Sequence, residues 1–159
     1  CKGRGNIAPT TINLPRIGIQ AKGNIEKFFE LFQERIDLAE EALMHRYGVL
    51  KNLRVKDLPF VAGQHLMKGA EGLSGEDSIE PILKQGTWGI GFIGLAETLV
   101  ALTGKHHGED PASRELGEKI ITFLNKSLFN ICLSHLFYTI ISFLDKIDKG
   151  AILFQKSKR

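Results

Sequence analysis

Four stretches carry residue types that could do chemistry. Gly89-Ile90-Gly91-Phe92-Ile93-Gly94 is a literal GxGxxG. Such a run can make a tight turn, let backbone approach a pyrophosphate and open a helix whose N-terminus favours negative charge. A phosphate loop should follow an apolar strand, whereas Lys84-Gln85-Gly86-Thr87 precedes this one. The first two glycines also fall where the strand itself belongs. The competing reading is structural: small residues that let a strand and a helix pack closely. Lys105-His106-His107-Gly108-Glu109 offers imidazoles and a carboxylate. Adjacent histidines diverge on any regular element and no second histidine sits at ligand spacing, so a solvated turn is favoured over a metal site. Glu71 to Glu80 is acid-rich but lacks the calcium-loop spacing, and Ser74 lacks the surroundings of a hydrolase nucleophile. In Gly3-Arg4-Gly5-Asn6, glycines flank an Arg and an Asn, which suits either an ordinary turn or a phosphate or ribose contact.

The elements that must position these residues follow from periodicity. The run Ile7 to Ile19 has β-branched residues and reads as a strand, limited by Pro9 and Pro15. Asn13 within it needs hydrogen-bond partners or a ligand. Residues 24–47 form the clearest helix. Asn24 is its N-cap, Phe28, Phe32, Ile36, Ala39 and Leu43 recur at helical spacing, and Gly48 is the expected stop. Residues 49–86, broken by Pro59, Pro81 and several glycines, read as a long connection with short helical turns. A short buried strand is expected at 87–93, a helix at 94–103 and an amphipathic helix at 111–126 with Pro111 in its first turn. From Ser127 the text changes to an apolar run without a polar face, then a lysine-rich end.

Composition narrows the classes. The chain has 159 residues, 43% apolar and 25% charged, which suits one globular domain or part of a larger one. A net charge of +3 is far from the basic stripe of a nucleic-acid binder, so no nucleic-acid partner is expected. Two cysteines without a CxxC cannot make a four-cysteine zinc site, and no metal ligands are assigned. A reducing, cytoplasmic setting is the default. A start at Cys1 with no leader-like apolar segment suggests an internal piece of a longer protein.

Read as whole segments, three stretches together resemble one family, the anaerobic (class III, glycyl-radical) ribonucleoside-triphosphate reductases. They are Lys2-Gly3-Arg4-Gly5-Asn6-Ile7-Ala8-Pro9 running into Thr11-Ile12-Asn13-Leu14-Pro15-Arg16, then Gly91-Phe92-Ile93-Gly94-Leu95-Ala96-Glu97, then Leu102-Thr103-Gly104-Lys105-His106-His107-Gly108-Glu109. Their order and spacing match, and the resemblance covers residues 2–126. It implies an α/β fold: part of a ten-stranded α/β barrel whose two halves surround a finger loop bearing a cysteine. In the parent enzyme a glycyl radical generates a thiyl radical on that cysteine. The 3′ hydrogen of the ribose is then abstracted and the 2′ hydroxyl leaves as water.

Much of that machinery lies elsewhere in the family. Cys1 sits too close to Asn6 to be the finger-loop cysteine, and neither the glycyl-radical segment nor the zinc cluster is found in these 159 residues. The resemblance therefore implies no cofactor within this chain. To the parent it assigns a glycyl radical, a structural zinc and nucleotide effectors. Implied partners are a ribonucleoside triphosphate, the remainder of the reductase, a radical-SAM activating enzyme and a second copy of the parent. By match to the family pattern, Asn6 is the catalytic candidate, with an amide able to hold a ribose hydroxyl. Asn13 and Arg16 are substrate-binding candidates, and Lys105, His106, His107 and Glu109 are a signature. The resemblance stops at Lys126, so the expected organisation is a barrel fragment over 1–126 and a divergent, helical apolar tail over 127–159, read as frameshift or intron read-through. Two other readings stay open: a nucleotide-binding module on Gly89–Gly94, and a small membrane-associated or interaction protein built around 127–144.

Overall fold

The computed structural model describes residues 5–135. In chain order these form β1 (Asn6–Asn13), α1 (Leu14–Ala21), α2 (Ile25–Leu50), a 3-10 turn at Val55–Asp57, α3 (Glu80–Gln85), β2 (Thr87–Ile93), α4 (Leu95–Thr103) and α5 (Pro111–His135). The fold is mixed α/β. The two strands pair in parallel, with Ala8 opposite Trp88, Thr10 opposite Ile90 and Ile12 opposite Phe92. Parallel neighbours require a crossover, and residues 14–86 supply it.

The stretch Ile7 to Ile19 is not one strand. It is extended only to Asn13 and helical from Leu14. Asn13 is the N-cap: its Oδ1 accepts from the Arg16 amide at 3.2 Å, and Pro15 sits in the first turn, where a missing N–H costs nothing. Leu14, Ile17 and Ala21 then point into the core.

Helix α2 starts as its sequence requires, with Asn24 Oδ1 accepting from the Lys27 amide at 3.0 Å. Phe28, Phe32 and Ile36 are fully buried and Ala39 and Leu43 nearly so. Each such phenylalanine contributes roughly 1.5–3 kcal/mol. Phe123 of α5 joins them, with ring centroids 5.1 Å from Phe29 and 5.7 Å from Phe32. Gly48 does not stop α2. The helix runs through it to Leu50, and Lys51 closes it by donating to the Tyr47 carbonyl. Interior glycine costs about 1 kcal/mol relative to alanine, which the packing of the preceding turns outweighs.

The connection after α2 is held at its neck. Val55 donates to the Asp77 carbonyl, Lys56 to that of Gly75 and Ile79 to that of Leu53. Arg54 and Lys56 both pair with Glu76. Beyond this neck, Ala62 and Ala70 are buried while Phe60 and Leu66 are exposed. The segment returns through α3 to β2, where the Trp88 indole donates to the Leu83 carbonyl at 3.2 Å.

Helix α4 packs on α1, where a Cβ on Gly18 would press on Thr98 Cγ2 at 3.2 Å. The sequence placed the end of the last helix at Lys126. Instead α5 continues through Ser127 to His135, and Leu116, Ile120, Leu124, Leu128 and Ile131 form one buried stripe four residues apart until its final three-residue step. Ser127 itself sits against α2, its Oγ donating to Gln33 Oε1 at 3.3 Å. Most of the expected tail, residues 136–159, lies outside the described residues. Among the described residues, no helix is long and apolar enough to cross a membrane.

Candidate functional site

The sheet fixes where the candidate residues stand. Asn6 opens β1 and lies opposite Thr87, whose amide donates to the Gly5 carbonyl at 2.8 Å. The ladder is irregular between Asn6 and Ala8. An irregular rung re-aims the side chain beside it, and the Asn6 side chain is exposed. The surroundings of this end are close-fitting. A Cβ on Gly86 would overlap Ile7, and one on Gly5 would meet Met67 Cε at 2.7 Å. Residues 67 and 86 thus wrap the start of β1.

Asn13 and Arg16 stand at the opposite end of the same strand. Seven residues of extended chain separate Asn6 from Asn13, about 23 Å. The structure therefore does not gather Asn6, Asn13 and Arg16 into one cluster. Asn13 lies opposite Ile93, and the next residues bring the first and second family-like segments together. Pro15 packs on Gly94, where any Cβ would overlap its ring. Gly94 has φ +76° and precedes α4 as its N-cap. Only a glycine fits both the left-handed backbone and the close approach.

This placement decides what the GxGxxG run does. Gly89 and Gly91 lie inside β2, in register with Pro9 and Thr11, and are not part of a turn. Gly94 alone is at the helix start, and there Glu97 occupies the first turn with a carboxylate oxygen 3.5 Å from the Gly94 Cβ position. A negative charge in that place opposes phosphate.

The signature turn is closed by its own atoms. The Gly108 amide donates to His106 Nδ1 at 3.0 Å, so Nδ1 is an acceptor and the neutral ring carries its proton on Nε2. That Nε2 lies 3.3 Å from Glu109 Oε1, and Glu109 Oε2 accepts from the His106 amide at 3.1 Å. His107 stacks edge-on to His106 with centroids 5.8 Å apart. Thr103 Oγ1 donates to the Lys105 carbonyl at 3.0 Å and is 2.9 Å from Ser113 Oγ, which ties the turn to both flanking helices. With both nitrogens of His106 engaged, the turn is built to fix the angle between α4 and α5.

The acid-rich stretch is likewise paired. Glu71 accepts from the Gly69 amide, and Asp77 accepts from the Ser74 amide and hydroxyl. Hydrogen bonds from backbone hold the Glu71 carboxyl below the usual carboxylate range, and Ser74 does so for Asp77. Lys56 and then Arg54 lower Glu76. Among the described residues no group of three His, Cys, Asp or Glu gathers to hold a metal ion.

One polar contact had no sequence signal. Tyr47 donates to Glu80 Oε1 at 2.8 Å across thirty-three positions. Burial first, and then the Glu80 carboxylate, push the phenol up to about 12. Lys84, and then Tyr47, hold Glu80 low. The Tyr47 ring meets Trp88 edge-on at 5.7 Å. Arg46, one residue earlier, donates to the Pro9 carbonyl at 3.1 Å and to Thr10 Oγ1 at 3.3 Å, which binds α2 to β1. A groove of about 500 Å³ lies on α5 between Phe29, Glu115, Lys119 and Phe123 and includes none of the candidate residues.

Comparison with known proteins sets this arrangement in a family. Residues 1–136 match a family model described as anaerobic ribonucleoside-triphosphate reductase. Curated relatives of that name are similar to the chain. That of Salmonella typhimurium is 37% identical over 128 residues, covering 78% of this chain and 17% of the relative. That of Escherichia coli is 38% identical over 112 residues, 68% and 15%. That of Enterobacteria phage T4 is 36% identical over 134 residues, 79% and 20%. A solved anaerobic ribonucleotide reductase shares the fold, with a TM-score of 0.65 at 19% identity over 85% of this chain and 20% of that one. The chain spans between 15% and 20% of the length of these relatives.

Proposed function

Because the chain belongs to the anaerobic ribonucleoside-triphosphate reductase family, we propose that it is a piece of the catalytic α/β barrel of such an enzyme, inactive without the rest. The observation that carries this is the family match over residues 1–136, together with the place of the three family-like segments. They fall on β1 with the start of α1, on β2 with the start of α4, and on the α4–α5 turn. These are the elements that meet one another through Pro15, Gly94 and Thr103. A parallel β1–β2 pair joined by a helical crossover is compatible with part of an α/β barrel and supports this reading.

In this reading the parent enzyme reduces ribonucleoside triphosphates to deoxyribonucleotides in the cytoplasm. A glycyl radical and a cysteine from other segments supply the radical chemistry, a radical-SAM enzyme installs the radical, and the parent works as a homodimer with structural zinc and nucleotide effectors. In this reading the structural zinc is held by other segments of the parent, since among the described residues no group of three His, Cys, Asp or Glu gathers to hold a metal ion. This chain's own contribution is Asn6. Its exposed amide at the start of β1 both donates and accepts, so it can hold a ribose hydroxyl while that group leaves as water. Asn13 and Arg16 belong to the other end of the strand. Asn13 shapes the substrate surroundings by capping α1, and the Arg16 side chain is exposed beside it. Lys105, His106, His107 and Glu109 set the helix geometry around them.

The test is a graft. Residues 5–135 replace the matching stretch of the phage T4 reductase, and deoxyribonucleotide formation is measured after radical installation. Activity is expected. Asn6→Ala should abolish turnover in the graft with unfolding unchanged, whereas Asn13→Ala should cost about 1 kcal/mol of stability, as lost helix caps do. An inactive but folded graft, or an active Asn6→Ala variant, would overturn the assignment.

A further inference from the structure

Asn6 faces away from the helices, although plain alternation would turn it toward them. Ala8 and Ile12 of β1 are at most 5% exposed under the helices, and Pro9, Thr11 and Asn13 are exposed on the other side. Counted back from Ala8 in steps of two, Asn6 belongs with the buried set. The ladder prevents that. Asn6 lies opposite Thr87 and Ala8 opposite Trp88, so Ile7 is an extra residue with no partner on β2. Trp88 is buried, so Thr87 and the Asn6 beside it fall on the open face. An extra residue in a strand re-aims its neighbour in this way. The space for it comes from Gly86. The Gly86 backbone is extended, with φ −82° and ψ 166°, which any residue adopts. Its conformation therefore does not require glycine. Ile7 does: its Cγ1 and Cδ1 occupy the place a Gly86 Cβ would take, Cδ1 at 2.6 Å.

We infer that Gly86 is a positioning residue for Asn6: by leaving room for Ile7 it lets the extra residue stand in β1, and so presents the Asn6 amide on the open face. This rests on the reading of Asn6 as the group that holds a ribose hydroxyl. Neither side of the contact is free to retreat. The Gly86 amide donates to the Ile82 and Leu83 carbonyls of α3 at 3.1 and 3.3 Å, and the amide of the next residue, Thr87, donates to the Gly5 carbonyl at 2.8 Å. Ile7 is packed against the core and is stiff at its branched Cβ. Met67 Cε closes the far side of the strand start, 2.7 Å from the Gly5 Cβ position. A methyl group added at position 86 therefore drives Ile7 into the ladder opposite Thr87, and Asn6 turns to the covered face.

The experiment first reads which face residue 6 occupies, and that step needs no turnover. Asn6→Cys is introduced into the 159-residue chain, and maleimide labelling is followed on the tryptic peptide of residues 5–16, which holds no other thiol. Labelling should be fast, and at least about tenfold slower once Gly86→Ala is added, as expected for a residue that has become covered. Adding Ile7→Ala to Gly86→Ala removes the overlapping atoms and should bring fast labelling back. The same substitutions then enter the T4 graft with Asn6 kept. Gly86→Ala should lower kcat about 100-fold with KM little changed and the glycyl-radical signal intact, and Ile7→Ala should restore most of the loss. Unchanged labelling in a folded Gly86→Ala chain overturns the inference, as does slow labelling that Ile7→Ala fails to reverse. If Gly86→Ala does not fold, the double variant decides: folding with fast labelling supports the inference, and failure to fold overturns it. An active graft whose kcat ignores Gly86→Ala overturns it too. The expected labelling pattern beside a graft that is inactive from the outset leaves the positioning of Asn6 standing and removes the proposed activity instead.

Discussion

The helix-covered face of the β1–β2 pair and its bare face are made from the same residues in alternation, yet they obey different rules. On the covered face each side chain is chosen for volume: Trp88 fills the space under α2 and α3, and Ile12 and Ile90 pack beside it. On the bare face Pro9, Thr11, Asn13 and Ile93 are exposed, and nothing among the described residues lies within 4 Å of the Cβ positions of Gly89 and Gly91. The covered face explains why this piece holds together. Buried and exposed residues thus alternate along the same two strands, as a period of two permits.

That contrast can be attacked from its strongest side downward. Phe32, fully buried between Phe28 and Phe123, belongs to the cluster that backs the covered face. Phe32→Ala should lower stability by about 3–5 kcal/mol, read by urea unfolding of the chain. A loss below about 1 kcal/mol would mean that the helix layer is not the source of stability. Gly94→Ala comes next. It combines overlap with Pro15 and a left-handed backbone, and should cost about 2–3 kcal/mol, with α1 and α4 losing amide protection together in hydrogen exchange.

The Tyr47–Glu80 pair gives a smaller, pH-restricted effect. The folded phenol ionises near 12 against an ordinary value of 10. The folded state therefore holds the proton more tightly, and the associated stability is complete below pH 10 and lost as pH rises from 10 to 12. Thermal melts between pH 9 and 12 should show this loss in the wild type and a flatter profile in Tyr47→Phe. An identical slope in both would dissociate the pair from the fold. The smallest change is expected on the bare face. Gly91→Val in the chain alone should shift unfolding by no more than about 0.5 kcal/mol, in the stabilising direction, because valine suits a strand and meets no neighbour. A substantial loss there would erase the distinction between the faces.

Periodicity was enough to place α2, α4, the body of α5 and β2. Phe28 to Leu43 and Leu116 to Leu124 repeat at helical spacing, and both stripes are buried as that spacing demands. The Asn24 cap was legible because a cap is a local event. The errors came where local signals competed. β-branched residues up to Ile19 read as one strand, but Asn13 and Pro15 together start a helix. Gly48 and Ser127 looked like boundaries, and tertiary burial of the flanking turns carries both helices past them.

By itself the sequence determined the family-like segments, their order, and the residues able to do chemistry, since these depend only on residue type and spacing. Tertiary structure alone decided which of them meet. Asn6 and Asn13 are seven residues apart and stand at opposite ends of a strand, whereas Pro15 and Gly94, far apart in sequence, touch. It also decided that Gly89 and Gly91 share the face away from the helices, and that Tyr47 answers Glu80. The physical reason is that strand pairing and side-chain facing are fixed by burial against distant elements, and a one-residue slip in register would turn every one of these side chains to the other face.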